Sequence, residues 1–304
     1  MKIINSGIYP TMITPYKNGE IDYENVKKLS NWYIDRGCHG IFAVCQSSEM
    51  AFLSLDERIR LAKEVVNTVN GRISVVASGH VSDGLDAQAE EINAISETGI
   101  DAFVFVSNRL DLHNEGDKVW ISNAEKLLSK IDSSITLGIY ECPMPYKRLL
   151  STEILNWCKT TKRFAFIKDT CCSPDMIKER AEILHGSGIK LFNANAQTLL
   201  HSLNTGYDGY AGIMANFHPE LLVKLYELSK ADKEKANDLS NMLSMAAFTE
   251  NPAYPCTAKY YLGFEGIDMD IFSRSCDEKR LNDYQKFVMK QLFDLNEKTR
   301  SEVL

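Results

Sequence analysis

The feature that most narrows the fold is a repeated alternation. Short runs rich in β-branched and aromatic residues are each followed by a longer stretch with apolar residues at helical spacing. Such alternation specifies a parallel sheet whose strands are joined by crossover helices. The predicted strands are Ile8–Thr14, Gly40–Cys45, Ile73–Ser78, Ala102–Ser107, Thr136–Glu141, Phe164–Lys168, Lys190–Ala194 and Gly209–Met214. Between them, sets such as Leu61, Val65 and Val69, or Leu85, Ala89, Ile92 and Ile95, give each helix one face to bury. Ser54-Leu55-Asp56-Glu57 reads as a capping box, and Ser173-Pro174 as an N-cap followed by a first-turn proline. Gly37, Gly71, Gly99 and Gly188 fall between a helix and the next strand, where left-handed C-caps are expected.

Eight such units over ~225 residues match the length of a closed (β/α)8 TIM barrel. A doubly wound open sheet is the competitor, and it would carry a glycine-rich phosphate loop after its first strand. The sequence there is Thr14-Pro15-Tyr16-Lys17-Asn18-Gly19, which lacks that fingerprint, so the barrel is the expected fold over 1–230. From about Asp232 the alternation stops. Helices are predicted at 232–247, Thr257–Leu262 and Lys279–Leu295, the last with an apolar face of Leu281, Tyr284, Val288, Leu292 and Leu295. Residues 231–304 therefore read as a C-terminal helical subdomain packed on the barrel or against a sister subunit.

A formal charge of −7 argues against nucleic acid as the main partner. No apolar run approaches the length of a membrane span, and the amino-terminal Lys2-Ile3-Ile4-Asn5-Ser6 has no signal-peptide core. A cytoplasmic location is expected. The eight cysteines form no C-x-x-C pair and are spread along the chain, as reduced thiols would be. Cys45, Cys142, Cys171 and Cys172 all fall at predicted strand ends and could share one end of the barrel, which leaves a metal or redox site there as an open idea.

In a (β/α)8 barrel, function sits at the carboxyl ends of the strands. The run Phe164-Ala165-Phe166-Ile167-Lys168 reads as a buried strand ending in a lysine. Burial disfavours the ammonium and lowers its pKa, leaving free amine to attack carbonyls. Alternatively, the side chain leaves the strand and snorkels to solvent. Tyr140 ends the preceding predicted strand, and a cationic neighbour such as Lys168 would bring its phenol below about 10, fit for proton transfer. After the second strand, Gln46-Ser47-Ser48 offers hydroxyls and backbone N–H groups that could seat a carboxylate, or form an ordinary polar loop. His80, Arg109 and His113, at the ends of the third and fourth strands, could face the mouth, with Arg109 the candidate for a substrate anion. Glu141 and Asp169 could hydrogen-bond a polyol or cap the following loops. His39, His185, His201 and His218 read as structural or solvated.

Over nearly its whole length the chain resembles the dihydrodipicolinate synthase and N-acetylneuraminate lyase family of class I aldolases. Five motifs carry the resemblance: Gly7-Ile8-Tyr9-Pro10 through Thr14-Pro15-Tyr16; Cys45-Gln46-Ser47-Ser48-Glu49 with Leu53 to Arg58; Tyr140 with Pro143; Phe166-Ile167-Lys168-Asp169-Thr170; and Gly206-Tyr207-Asp208-Gly209 with Ala215-Asn216. The resemblance implies that Lys168 forms an imine with pyruvate or another 2-oxo acid and that Tyr140 carries protons. Ser47 and neighbouring N–H groups would hold the 2-oxo acid carboxylate, and the backbone of Ala211 would touch pyruvate. It further implies condensation with, or release of, an aldehyde or sugar acid, by a homotetramer built from tight dimers, with no cofactor and no metal.

The departures bear on substrate. Gln46 and Leu110 stand where the synthases have the other members of a proton relay, and Pro145 where they have an arginine for the aldehyde carboxylate. Ala196 and Gln197 stand where sialic-acid lyases have acidic residues. Neither lysine-biosynthetic condensation nor standard sialic acid fits these positions, and the acceptor stays open. A non-catalytic 2-oxo acid sensor or scaffold on the same barrel is the alternative of a different class.

Overall fold

The computed structural model describes residues 2–304; Met1 lies outside the described residues. Eight parallel strands run in sequence around one sheet: Gly7–Ile8, Gly40–Phe42, Ser74–Ala77, Ala102–Val106, Leu137–Tyr140, Phe164–Asp169, Lys190–Asn193 and Gly209–Tyr210. The last strand pairs with the first, and a bridge between Thr11 and Phe42 brings the first against the second, so the (β/α)8 barrel closes. Gly209 permits that closure, because a Cβ there would lie 1.9 Å from the carbonyl oxygen of Gly7.

The first and last strands are shorter than the sequence predicts. Pro10 interrupts the first because it has no N–H to donate, although its carbonyl still accepts from Phe42 N at 2.9 Å. The eighth gives way to a 3-10 turn at Ile213–Asn216. A small hairpin of Tyr16–Lys17 with Glu20–Ile21 was not predicted, although Asn18-Gly19 supplies the two positive-φ residues such a turn requires. The predicted punctuation is present: Ser54 forms a full capping box with Glu57, and Ser173 caps Pro174–Leu184. Gly37, Gly71, Gly99 and Gly188 all adopt positive φ.

Aromatic rings fill the barrel axis. Phe166 stacks on Phe192 with centroids 4.6 Å apart, Tyr9 meets Phe192 edge-on at 4.8 Å, and Phe42 reaches across to Tyr140 at 5.8 Å. These rings form an apolar floor under the carboxyl ends of the strands and exclude water from below.

Beyond the barrel lie helices Lys233–Ala246, Cys256–Phe264 and Asp283–Val303. Their buried side chains, among them Leu239, Tyr261 and Leu292, belong to the same apolar core as the barrel. The long last helix is capped by Asn282 and starts later than predicted, and it buries Met289, Leu292, Asn296 and Thr299 while Tyr284 and Leu295 stay exposed. Hydrophobicity alone misassigned that face. Asn296 is buried because its amide is satisfied, donating to the Tyr261 hydroxyl at 2.8 Å and lying 3.2 Å from His218 Nδ1. Among the described residues no helix is long and apolar enough to cross a membrane.

Candidate active site

A cavity of about 440 Å³ opens at the carboxyl ends of the strands, and Gln46, Ser47, Tyr140 and Lys168 all line it. Tyr140 and Lys168 are register partners on adjacent strands. Lys168 does not snorkel outward: the residue is only 5 % exposed, and Nζ lies 4.1 Å from the Tyr140 ring centroid and 5.6 Å from that of Phe42. Burial lowers its pKa from the ordinary 10.5 to about 8, partly opposed by Cys45, Cys142 and Glu250.

The expectation for Tyr140 is corrected. Its phenol is raised well above 10 rather than lowered, because burial outweighs the cation over its ring, and neighbouring thiols push the same way. Tyr140 is therefore a neutral hydroxyl near pH 7, able to donate a proton but not standing ready as a phenolate.

The turn after the second strand is built from its own polar groups. Ser47 Oγ donates to Thr11 Oγ1 at 3.1 Å, and Gln46 Oε1 accepts from the Cys142 thiol at 3.7 Å. Ser48 is turned away from the cavity, with Oγ 2.7 Å from the carbonyls of both Met12 and Ala43. Glu49, in a left-handed conformation at φ 64°, accepts from Ser273 Oγ and from the N–H groups of Arg274 and Ser275. Its carboxylate also lies 3.4 Å from Lys259 Nζ, both side chains being fully buried. The turn is thereby fastened to the C-terminal segment.

Several predicted site residues are not in the cavity wall. Asp169 is bound by Arg180 at 2.8 Å, Cys171 N at 2.6 Å and the Tyr207 hydroxyl. Burial alone would raise its pKa, but these partners hold it below the usual carboxylate value. Glu141 is likewise buried against Arg180 at 2.7 Å and accepts from Leu150 N and Thr170 N. Neither carboxylate can reach a polyol. Arg109 pairs with Asp83 outside the cavity, an exposed aspartate having captured the guanidinium expected to bind substrate. Ala211 is buried and donates its N–H to Asn193 O at 2.8 Å, leaving Gly212 and Ile213 to form that part of the wall. His80 is buried between Gln88 and Val106 N, and burial drops its pKa to about 4. The four strand-end cysteines have separate partners, and among the described residues no three His, Cys, Asp or Glu side chains are grouped to hold a metal.

The sequence model of the dihydrodipicolinate synthetase family matches residues 5–292. The chain belongs to that family. Similar members include 4-hydroxy-tetrahydrodipicolinate synthases of Methanocaldococcus jannaschii, 26% identical over 84% of this chain and 88% of the relative. That of Pseudoalteromonas atlantica is 27% identical over 85% and 88%. Two solved structures show the same fold: dihydrodipicolinate synthase DapA-2 from Bacillus anthracis, with TM-score 0.86, 19% identity and coverage of 96% of this chain and 98% of the other, and CdNal from Clostridium difficile in complex with mannosamine, with TM-score 0.83, 18% identity and coverage of 95% and 98%.

Leu110 is fully buried, and Pro145 follows a cis peptide bond two residues before Lys147, which lines the cavity. Gln197 accepts from Asn195 Nδ2 at 2.6 Å, and Asn195 itself is in the wall. Sequence reasoning missed the outer wall altogether, because Glu250, Asn251, Tyr254, Pro255 and Ser275 arrive from the C-terminal segment. Asn251-Pro252-Ala253-Tyr254-Pro255 was the available signal: two prolines around a tyrosine mark a built loop rather than a linker.

Proposed function

We propose that the protein is a class I lyase. In this reading, Lys168 forms an imine with the ketone of pyruvate or another 2-oxo acid, and the derived enamine is joined to, or released from, an aldehyde or sugar acid. The observation that carries it is a lysine amine held at a pKa of about 8 in a walled cavity, beside a phenol on the adjacent strand. A protonated imine is a stronger electron sink than a ketone, so it stabilises the carbanion equivalent that makes or breaks the neighbouring carbon–carbon bond. Ser47 and the amides of its turn would hold the 2-oxo acid carboxylate, with Gln46 beside them. Leu110 and Pro145 weigh against the relatives' own condensation, and Ala196 with Gln197 against sialic acid, while Lys147 offers a cation to an acidic acceptor. The reading includes a cytoplasmic homotetramer, a dimer of dimers, whose formation would cover apolar side chains such as Phe248 and Phe287, exposed in the single chain.

The test is exchange of the C3 protons of pyruvate with deuterated water, followed by NMR. Exchange requires the enamine; a sensor that only binds pyruvate would leave the protons in place. The rate should climb about tenfold per pH unit as the pH rises toward 7, since only the neutral amine attacks. A flat profile through that window would argue against Lys168 as the nucleophile.

A further inference from the structure

Imine formation moves protons, and the cavity offers few groups to carry them. Tyr140, its phenol raised by burial, can give a proton but does not stand ready to take one, and the Gln46 amide cannot change charge. Among the described residues the wall holds no histidine and a single carboxyl group, Glu250, which follows the 3-10 turn Ala247–Thr249. It is half-buried, and its charge and that of Lys168 act on each other across the cavity. The other groups around it come from four elements: Lys147 after the fifth strand, Cys172 after the sixth, Tyr210 on the eighth, and Tyr254 on its own loop. Burial pushes Tyr210, Tyr254 and Cys172 upward, so near pH 7 Lys168 is the charge that acts on Glu250, with Lys147 elsewhere in the same wall. Burial also lifts Glu250 to about 7, with Lys168 pulling the other way, which makes it half acid and half carboxylate at neutrality.

We propose that Glu250 is a catalytic acid and base for imine formation, giving its proton to the hydroxyl of the carbinolamine on Lys168. The proposal rests on the Schiff-base reading above. When the amine has added to the ketone, the nitrogen lone pair forms the C=N bond as the carbon–oxygen bond breaks. The oxygen leaves as water with the Glu250 proton, and a carboxylate faces the new iminium. That carboxylate can then accept a C3 proton, which yields the enamine and restores the acid. A group with a pKa near the working pH suits both transfers.

The test uses pyruvate alone, with timed borohydride quenches and quantification of the reduced adduct on Lys168 by mass spectrometry. Glu250→Gln should form the adduct about a hundredfold more slowly than wild type at pH 6–7, with the gap narrowing toward pH 8 as wild-type Glu250 gives up its proton. Glu250→Asp should recover part of the rate, which a misfolded site would not. A Glu250→Gln rate within threefold of wild type overturns the proposal. So does a profile merely displaced along the pH axis with an unchanged maximum, the signature of a purely electrostatic neighbour to Lys168. A wild-type protein that forms no adduct overturns the Schiff-base reading itself and this inference with it.

Discussion

Lys168→Met is expected to abolish the borohydride-trapped pyruvate adduct completely while making the fold more stable. The first half follows from chemistry: of the cavity's two lysines, Lys168 is the one that lies against Tyr140 and the aromatic floor, and burial depresses its pKa. The second half follows from linkage. An amine whose pKa falls from 10.5 to about 8 on folding binds fewer protons in the native state than in the unfolded chain between those values. Stability therefore rises with pH across that window, and the full burden is present below pH 8. The drop corresponds to roughly 3 kcal/mol. Methionine has similar length and no charge, so the variant should gain up to about 3 kcal/mol at pH 7, measured by urea unfolding. The gain should fade above pH 10. A variant less stable than wild type at pH 7 would show that the ammonium is comfortably accommodated and the amine not poised.

Arg180→Met is expected to act in the opposite direction, costing about 3–5 kcal/mol in the same measurement. Arg180 is buried and grips two buried carboxylates, Glu141 at 2.7 Å and Asp169 at 2.8 Å, while donating to Leu150 O at 3.0 Å. Without it, two negative charges would face each other with no cation between them. Burial and the charge of Asp169 already raise the Glu141 pKa, so the variant should recover part of its deficit as the pH falls and Glu141 takes up a proton. Adding Glu141→Gln and Asp169→Asn should restore stability further at pH 7. Arg180 also positions the reactive pair. Glu141 follows Tyr140 and Asp169 follows Lys168, so one guanidinium holds both strand ends at the same height. Loss of the C3 exchange rate beyond what unfolding explains would report that role.

The barrel was legible because each β-α unit repeats the same two signals, apolar periodicity and a capped helix, and every repeat reinforces the register of its neighbours. That Lys168, Tyr140, Gln46 and Ser47 would meet in one cavity was legible for a related reason: strand ends in such a barrel converge wherever the loops go. Asp169, Arg109 and Ser48 were misread because position along the chain does not say which way a side chain turns. Asp169 succeeds Lys168 on an extended strand and so points to the opposite face, where Arg180 waits on the next helix. Arg109 was claimed by Asp83, a contact that no local pattern announces. Glu250 was invisible because the segment carrying it has no periodic tie to the barrel and reaches the cavity only in three dimensions.

The seating of Glu49 on Lys259, Ser273 and the amides of Arg274 and Ser275 has a corollary. The turn that carries Ser47 and the C-terminal stretch that forms the cavity's outer wall are soldered at one buried joint, yet they are encoded more than two hundred positions apart. Changes in that late segment are therefore felt at both ends of the joint, in the outer wall and in the turn beside Ser47. Deleting the last quarter of the chain would strip the Gln46–Glu49 turn of its buried support.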